Sequence, residues 1–208
     1  MGNAINRIVL ASASPRRLEL LRGLNLDVRV IPSAYEEPDH PHLLPRDLAI
    51  LHARHKCNDV RDRLGAQNPD LIVAADTVVD VDNTAYNKPQ DAQDAKGMLR
   101  DLSGRTHIVH TAYALAVPER RDLIEHCESC FVTFFPLGEL EIDAYVASGE
   151  PMDKAGAYGI QGYGASLVER IEGDFYTVMG FPLARFIRSL RRLGFDLPIT
   201  KESAEDRR

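Results

Sequence analysis

The chain has 208 residues, 44% of them apolar, enough to bury a real core in one large domain or two small lobes. Its 25 basic residues stand against 31 acidic ones, a net charge of −6. That balance argues against the basic face a nucleic-acid-binding protein needs, so any anionic ligand has to be held by a local cluster. No apolar run approaches a membrane span, the N-terminus lacks a secretory h-region, and Asn6 replaces the Ser or Thr of a myristoylation motif after Met1-Gly2. No membrane association is expected.

Ile8-Val9-Leu10 opens the chain as a short strand of β-formers. Ser12-Ala13-Ser14 then turns into a helix, with Ser14 as N-cap and Pro15 at N1, where its missing N–H is harmless. Leu18, Leu20, Leu21 and Leu24 form its apolar set, and Gly23 ends it. The first turn carries Arg16 and Arg17, beside the positive end of the helix dipole, and Arg17 holds the position a capping box gives to Glu. Two cations, a serine turn and free N–H groups make an anion site. A surface helix with two solvated arginines fits these residues equally well.

Residues 28–31 read as a second strand ended by Pro32. A proline-containing loop over 33–45 carries Glu36 and Glu37. A helix follows over 46–64, stopped by Gly65, with the inward stripe Ala49, Ala53, Lys56, Val60 and Leu64. Lys56 within that stripe either snorkels to the rim, the commoner outcome, or points its ammonium into a cleft. His52 and His55 are too weakly patterned to argue for a metal.

Residues 71–75 are the most apolar run and read as the central strand, interrupted by Asp76-Thr77 and resumed by Val78-Val79. Asp82-Asn83 marks a turn into Tyr86. Asp91 caps a helix to Leu102, with Ala95, Met98, Leu99 and Leu102 inward and Ser103-Gly104 as its stop. Two long strands, 106–117 and 123–135, are joined by the charged turn 119–122. Cys127-Glu128-Ser129-Cys130 lies within the second strand, so strand packing outweighs a zinc or redox role. With Cys57 these thiols make no disulfide framework, which points to a reducing, cytoplasmic setting.

A short helix over 139–147 ends at Ser148-Gly149. The stretch 151–164 is glycine-rich, a strand resumes over 165–171, and 172–174 turns it. A last amphipathic helix carries Leu183, Phe186, Ile187, Leu190 and Leu193 and ends at Gly194. The charged tail over 199–208 is expected to be disordered, leaving 1–198 as a single domain. The alternation predicts an α/β fold with a mixed sheet.

The candidate chemistry centres on Asp76, a carboxylate in an apolar strand. It is either satisfied by backbone N–H groups in a β-bulge or is a metal ligand or general base at a cleft. Glu36 or Glu37, Lys56, Lys88, Arg16 and Arg17 are its candidate partners. Carboxylates to hold a hard cation and Lys or Arg to offset phosphate charge fit a magnesium-bound polyphosphate site. No Walker motif, dinucleotide fingerprint or G-x-S-x-G elbow is present. The glycine-rich stretch reads instead as a tight loop at which backbone and Gln161 meet a flat ligand.

Taken together, Ser12-Ala13-Ser14-Pro15-Arg16-Arg17, Glu36-Glu37, Lys56, Ala75-Asp76-Thr77, Lys88-Pro89, Leu102-Ser103-Gly104, the run from Asp153-Lys154-Ala155-Gly156 through Gln161-Gly162, Gly173-Asp174-Phe175 and Val178-Met179-Gly180-Phe181-Pro182-Leu183 resemble the Maf family of nucleoside triphosphate pyrophosphatases. The likeness covers residues 8–193. Cys57 stands where the family commonly has Ala, and Asn87 where Glu or Gly is usual. The resemblance implies a two-lobed mixed twisted sheet with flanking helices, similar to inosine triphosphate pyrophosphatases, with the site between the lobes.

It further implies hydrolysis of a nucleoside triphosphate to the monophosphate and pyrophosphate. Asp76 matches the catalytic base, and Arg16, Thr77 and Gln161 match positions tied to substrate choice in the subfamily acting on dTTP and UTP. Ser12 and Ser14 fall on the substrate-binding side. The expected cofactor is a divalent cation, Mg²⁺ or Mn²⁺, held by Asp76 and Glu37 in preference to Glu36. Asp76 takes a proton from the attacking water, while Arg16, Arg17, Lys56 and Lys88 stabilise the departing pyrophosphate. Both arginines are expected to serve binding more than stability. Gln161 can pair with O4 and N3–H of thymine or uracil, and the tight loop is expected to leave little room for a purine. The alternatives are a pyrophosphatase for 7-methyl-GTP or another modified nucleotide, and a nucleotide-binding regulator without turnover, for instance one tied to cell division. Oligomeric state is left open, a homodimer included.

Overall fold

A computed structural model of the chain describes residues 3–5, 7–38, 40–64, 69–118 and 120–198. The expected helix stop at Gly65, part of the 119–122 turn and the tail over 199–208 lie outside the described residues. In chain order the elements are β1 (Asn3–Ala4), β2 (Arg7–Leu10), α1 (Pro15–Arg22), β3 (Asp27–Val30), α2 (Pro45–Leu64), β4 (Leu71–Val81), β5 (Thr84–Tyr86), α3 (Ala92–Leu102), β6 (Thr106–Ala116), β7 (Ile124–Phe134), α4 (Glu139–Ala147), β8 (Val168–Glu172), α5 (Phe175–Met179), α6 (Leu183–Leu193) and β9 (Phe195–Asp196).

Seven strands form one mixed sheet in the order β3-β2-β4-β6-β7-β8, with β5 paired to β4. β2 lies parallel to both β3 and β4, while β4, β6, β7 and β8 run antiparallel. The mixed α/β fold with flanking helices is the one expected. The local signals act as read: Ser14 caps α1 by accepting from the Arg17 N–H, and Asp91 caps α3 by accepting from Gln93 and Asp94. Asp82 and Asn83 both take positive φ, 53° and 65°, the twist a two-residue hairpin needs between β4 and β5.

Side chains alternate across β4, and the two faces meet different partners. Ile72, Ala74 and Val78 pack under α2 with Ala49, Ala53 and Cys57, together with Ala112 and Ala114 of β6. These small residues on both surfaces let the helix axis sit close to the sheet. On the other face the core divides in two. Leu71, Val73 and Ala75 pack with Leu21, Phe186 and Leu190 of α1 and α6, whereas Val79 and Val81 pack with Leu99, Leu102 and Ile142 of α3 and α4.

Two expectations are corrected, and two elements fall where none was expected. Asp76-Thr77 does not interrupt the central strand: β4 runs unbroken for 11 residues, with Asp76 in regular register opposite Ala112. A carboxylate on one face and a hydroxyl on the other leave the ladder intact, so no bulge is needed. The strand placed over 165–171 begins only at Val168, because residues 162–167 coil in a 3-10 turn. The five-residue helix α5, capped by Asp174, follows the 172–174 turn in a stretch for which no element was expected. The two-residue parallel pair β1–β9 was not foreseen.

Candidate active site

The site lies where β4 loses a neighbour. β2 pairs with β4 only from Leu71 to Val73, and Ala11 N–H closes that ladder on the Val73 carbonyl at 2.7 Å. β5 joins the same edge only at Val79. Between them no described strand covers this edge, and the chain leaving β2 swings away through Ser12-Ala13-Ser14. The resulting cleft, about 600 Å³, is lined by that turn, by Tyr35 and Glu37, by Lys56, Asp76 and Thr77, by Asn87 and Lys88, and by residues 153–155 and 158–161. The volume of the whole cleft does not by itself reject a purine.

Asp76 is 6% exposed on the floor. Its partner is Lys56, whose Nζ donates to Asp76 Oδ1 at 2.7 Å and lies 2.6 Å from Glu37 Oε1. Lys56 therefore does not snorkel. It stands at the rim of the buried face of α2, next to Ala53 and Cys57, and the close α2–sheet packing brings its ammonium to the β4 edge. Partial burial alone would raise the Glu37 pKa, but the charge and hydrogen bond of Lys56, with His52 and Lys88 beyond, hold it below the usual carboxylate range. Glu36 does not line the cleft, whereas Glu37 does.

The Glu37 loop is bolted to α2. Asp59 accepts from Ser33 Oγ at 2.8 Å and from the Ala34 N–H at 2.9 Å. The Tyr35 hydroxyl meets His52 Nδ1 at 3.2 Å, and its ring stacks on His55 at 4.9 Å. Burial lowers the His52 pKa, partly opposed by Asp76 and Glu37. His52 and His55 thus hold a tyrosine, and among the described residues no three His, Cys, Asp or Glu side chains could by themselves hold a metal.

The two arginines differ. Arg16 reaches Asp153 at 3.2 Å across the cleft mouth. Arg17 turns inward and is pinned: Nε donates to the Gly180 carbonyl at 2.9 Å, Nη1 to Ser12 Oγ at 3.2 Å and Nη2 to Thr77 Oγ1 at 3.0 Å. Burial works against its charge, and the Asp76 carboxylate partly compensates. Neither is a solvated surface residue. The expectation that both serve binding more than stability is revised for Arg17, which ties α1 to β4 and to the end of α5. Ser12 Oγ also accepts from the Ser14 N–H, and Ser14 Oγ from the Arg17 N–H, so each hydroxyl keeps its own proton to donate. Thr77 Oγ1 continues the chain of contacts to Thr111 at 3.0 Å.

Lys88 and Gln161 stand exposed on the opposite wall. That wall is seated by Gly156, whose φ of +66° and close approach to Val79 leave no room for a side chain: a Cβ would lie 2.9 Å from Val79 Cγ2. Tyr35 is a cleft residue that the sequence reading did not single out, and Asp153 entered it only within the family run. Tyr35 meets His52, and Asp153 meets Arg16 beside its neighbour Lys154, so the long-range contacts form only in the fold.

The donor set offers oxygen only. Asp76 and Glu37 flank one ammonium closely enough to share one hard cation, and Mg²⁺ commonly uses one or two carboxylates with substrate phosphates and water completing its shell. The residues fit such an ion; they do not form a cage that would hold it without a substrate.

A mixed α/β sheet with a charged cleft at a vacated strand edge is the class that fold and geometry define. The chain belongs to the Maf family: the family model described as Maf-like protein matches residues 7–193. It is 45% identical over 186 residues to the dTTP/UTP pyrophosphatase of Bacillus velezensis, covering 89% of this chain and 95% of that protein. It is also 45% identical over 195 residues to the dTTP/UTP pyrophosphatase of Thermus thermophilus, covering 94% and 99%. Among solved structures, the Ham1 protein of Staphylococcus aureus aligns over 61% of this chain and 71% of its own at 15% identity, with a TM-score of 0.42.

Proposed function

We propose that this protein is a nucleoside triphosphate pyrophosphatase that hydrolyses dTTP and UTP to the nucleoside monophosphate and pyrophosphate. The observation that carries the reading is the Asp76–Lys56–Glu37 group at the β4 edge, facing Arg16 and Lys88 across an open cleft. The names of the relatives above support the substrate.

In this reading the triphosphate lies between the arginine turn and Lys88. A divalent cation held by Asp76 and Glu37 would neutralise phosphate charge. Asp76 accepts a proton from a water whose oxygen bonds to the α-phosphorus, and the bond from that phosphorus to the bridging oxygen breaks. Pyrophosphate leaves with the bridging oxygen, its charge met by Arg16, Lys56, Lys88 and the unused N–H groups of Arg17. Ser12 and Ser14 donate to phosphate oxygens. Gln161 meets the base edge, where a hydrogen-bonding site discriminates more sharply than an apolar pocket. Three free buried thiols, Cys57, Cys127 and Cys130, support a reducing, cytoplasmic setting, and among the described residues no helix is long and apolar enough to cross a membrane.

The test is pyrophosphate release, with Mg²⁺, from dTTP, UTP, CTP, GTP and 7-methyl-GTP. Release from dTTP and UTP first, and from CTP more weakly, is expected. Efficient 7-methyl-GTP hydrolysis with dTTP untouched overturns the base assignment, and binding without any release favours a regulator over an enzyme.

A further inference from the structure

The wall that carries Gln161 is held from behind by one carboxylate. Glu150 begins the 3-10 turn that follows α4 and directs its side chain beneath residues 159–164. Its Oε2 accepts from the Tyr163 N–H at 2.9 Å. Its Oε1 accepts from the Gly164 N–H at 3.0 Å and from the Tyr145 hydroxyl at 3.1 Å. That hydroxyl accepts in turn from the Gly159 N–H at 3.2 Å. Gln161 is thus bracketed, tied on one side through Tyr145 and on the other through Glu150.

The turn closes tightly on itself. A Cβ on Gly164 would lie 2.2 Å from the Gly159 carbonyl oxygen, and one on Gly162 would lie 2.7 Å from Glu150 Oε2. Burial opposes ionisation of Glu150, yet the N–H groups of Gly164 and Tyr163, the Tyr145 hydroxyl and Lys154 hold its pKa below the usual range. An ionised carboxylate accepts at both oxygens, whereas an amide in its place sets N–H against N–H at one of them. Glu150 does not line the cleft, so it acts only through the turn.

A primary amide reads donor-acceptor or acceptor-donor depending on which way it faces. Uracil and cytosine differ in that same order at O4 or N4 and N3. Base choice therefore requires a turn that permits one orientation of Gln161. We propose that Glu150 is a positioning residue for base choice, holding the 159–164 turn so that the cleft favours uracil and thymine over cytosine; the role given to Gln161 rests on the pyrophosphatase reading above.

The experiment measures kcat and KM for UTP and CTP in Glu150→Gln, Tyr145→Phe, Gln161→Ala and the double variant Glu150→Gln/Gln161→Ala, with melting temperature reporting folding. Glu150→Gln raises KM for UTP roughly tenfold, keeps kcat within about twofold and narrows the UTP-to-CTP preference. Tyr145→Phe, which loses the Gly159 tether and one donor to Glu150 Oε1 but keeps the Tyr163 and Gly164 N–H bonds to that carboxylate, moves the preference in the same direction by less, and it decides the matter alone if Glu150→Gln does not fold. The double variant discriminates no worse than Gln161→Ala, because both changes act through one group. An unchanged preference in Glu150→Gln and Tyr145→Phe, with Gln161→Ala narrowing it, overturns the proposal and leaves the Gln161 assignment standing. Full additivity in the double variant overturns it as well. A narrowed preference in Glu150→Gln with none in Gln161→Ala upholds control by the turn and removes Gln161 as the contact.

Discussion

Lys56 Nζ donates to Asp76 Oδ1 at 2.7 Å, joining the middle of α2 to the middle of β4 at the point where β4 has lost its β2 neighbour. The same ammonium touches Glu37, so a single cation separates two carboxylates that would otherwise repel.

Asp76→Asn keeps the shape of the side chain and the strand register but removes the proton acceptor. Turnover of dTTP is expected to fall by roughly 10²–10⁴, with the melting temperature close to that of the wild type. Wild-type turnover in this variant would make Asp76 a structural residue.

Lys56→Met leaves Asp76 and Glu37 facing each other without their shared cation. Turnover should fall by roughly 10² through the lost charge on the phosphate path. In the same variant Mg²⁺ alone should raise the melting temperature more than in the wild type, because no ammonium competes for the carboxylates. An identical Mg²⁺ response in both proteins would show that these carboxylates do not share a cation.

The arginines should separate stability from binding. Arg16→Ala loses a half-exposed pair with Asp153 and should change stability by less than about 1 kcal/mol. Arg17→Ala strips the buried Gly180 carbonyl of its donor and should destabilise by about 1–3 kcal/mol. Both should raise KM for dTTP. Urea unfolding beside steady-state kinetics tests the pattern, which fails if the two variants lose equal stability.

Acid sensitivity should come in part from His107. It is 3% exposed, its Nε2 meets the Tyr158 hydroxyl at 2.7 Å, and its Nδ1 has no partner. Burial, with a smaller contribution from Arg105, pushes its pKa down to about 4. Above the ordinary value near 6.5 neither state binds the proton and nothing changes. As pH falls from there toward 4 the unfolded chain takes up a proton that the folded protein refuses. Stability is then lost, by about 3 kcal/mol in all, with no further loss from this group below 4. His107→Gln, which can still reach Tyr158, should flatten unfolding free energy between pH 6.5 and 4. An unflattened curve would place the sensitivity elsewhere.

What the sequence made legible was whatever a few neighbouring residues decide. Ser14 with Pro15, and Asp91 before Ala92, announce helix starts through groups within one turn. Asp82-Asn83 announces a hairpin, and Asp76 stands out because a carboxylate in an apolar run needs a reason. α5 was missed because five residues are too short to show a helical period, and its cap, Asp174, looks like any turn residue. The continuity of β4 is hidden in the sequence because polarity at Asp76-Thr77 looks like a break, although each side chain leaves the sheet on its own face. Lys56 was left undecided because its direction depends on small residues across the helix–sheet contact. Tyr35 and Glu150 escape the sequence because their partners, His52 and the 159–164 turn, meet them only once the chain has folded, and Asp153, quoted there only within the family run, shows its reach to Arg16 only in the fold.

β4 and β6 pass the cleft as unbroken 11-residue strands paired along most of their length. A floor built this way has no hinge in it, so opening and closing around a ligand fall to the walls alone. Amide hydrogen exchange should divide accordingly: the amides of β4 that bond to β6 should exchange only on global unfolding, whereas those of residues 33–37 and 159–164 should open locally and slow when nucleotide is bound. Asp76 would then stay fixed on the floor, while Glu37 and Gln161 move with the walls that close on the nucleotide.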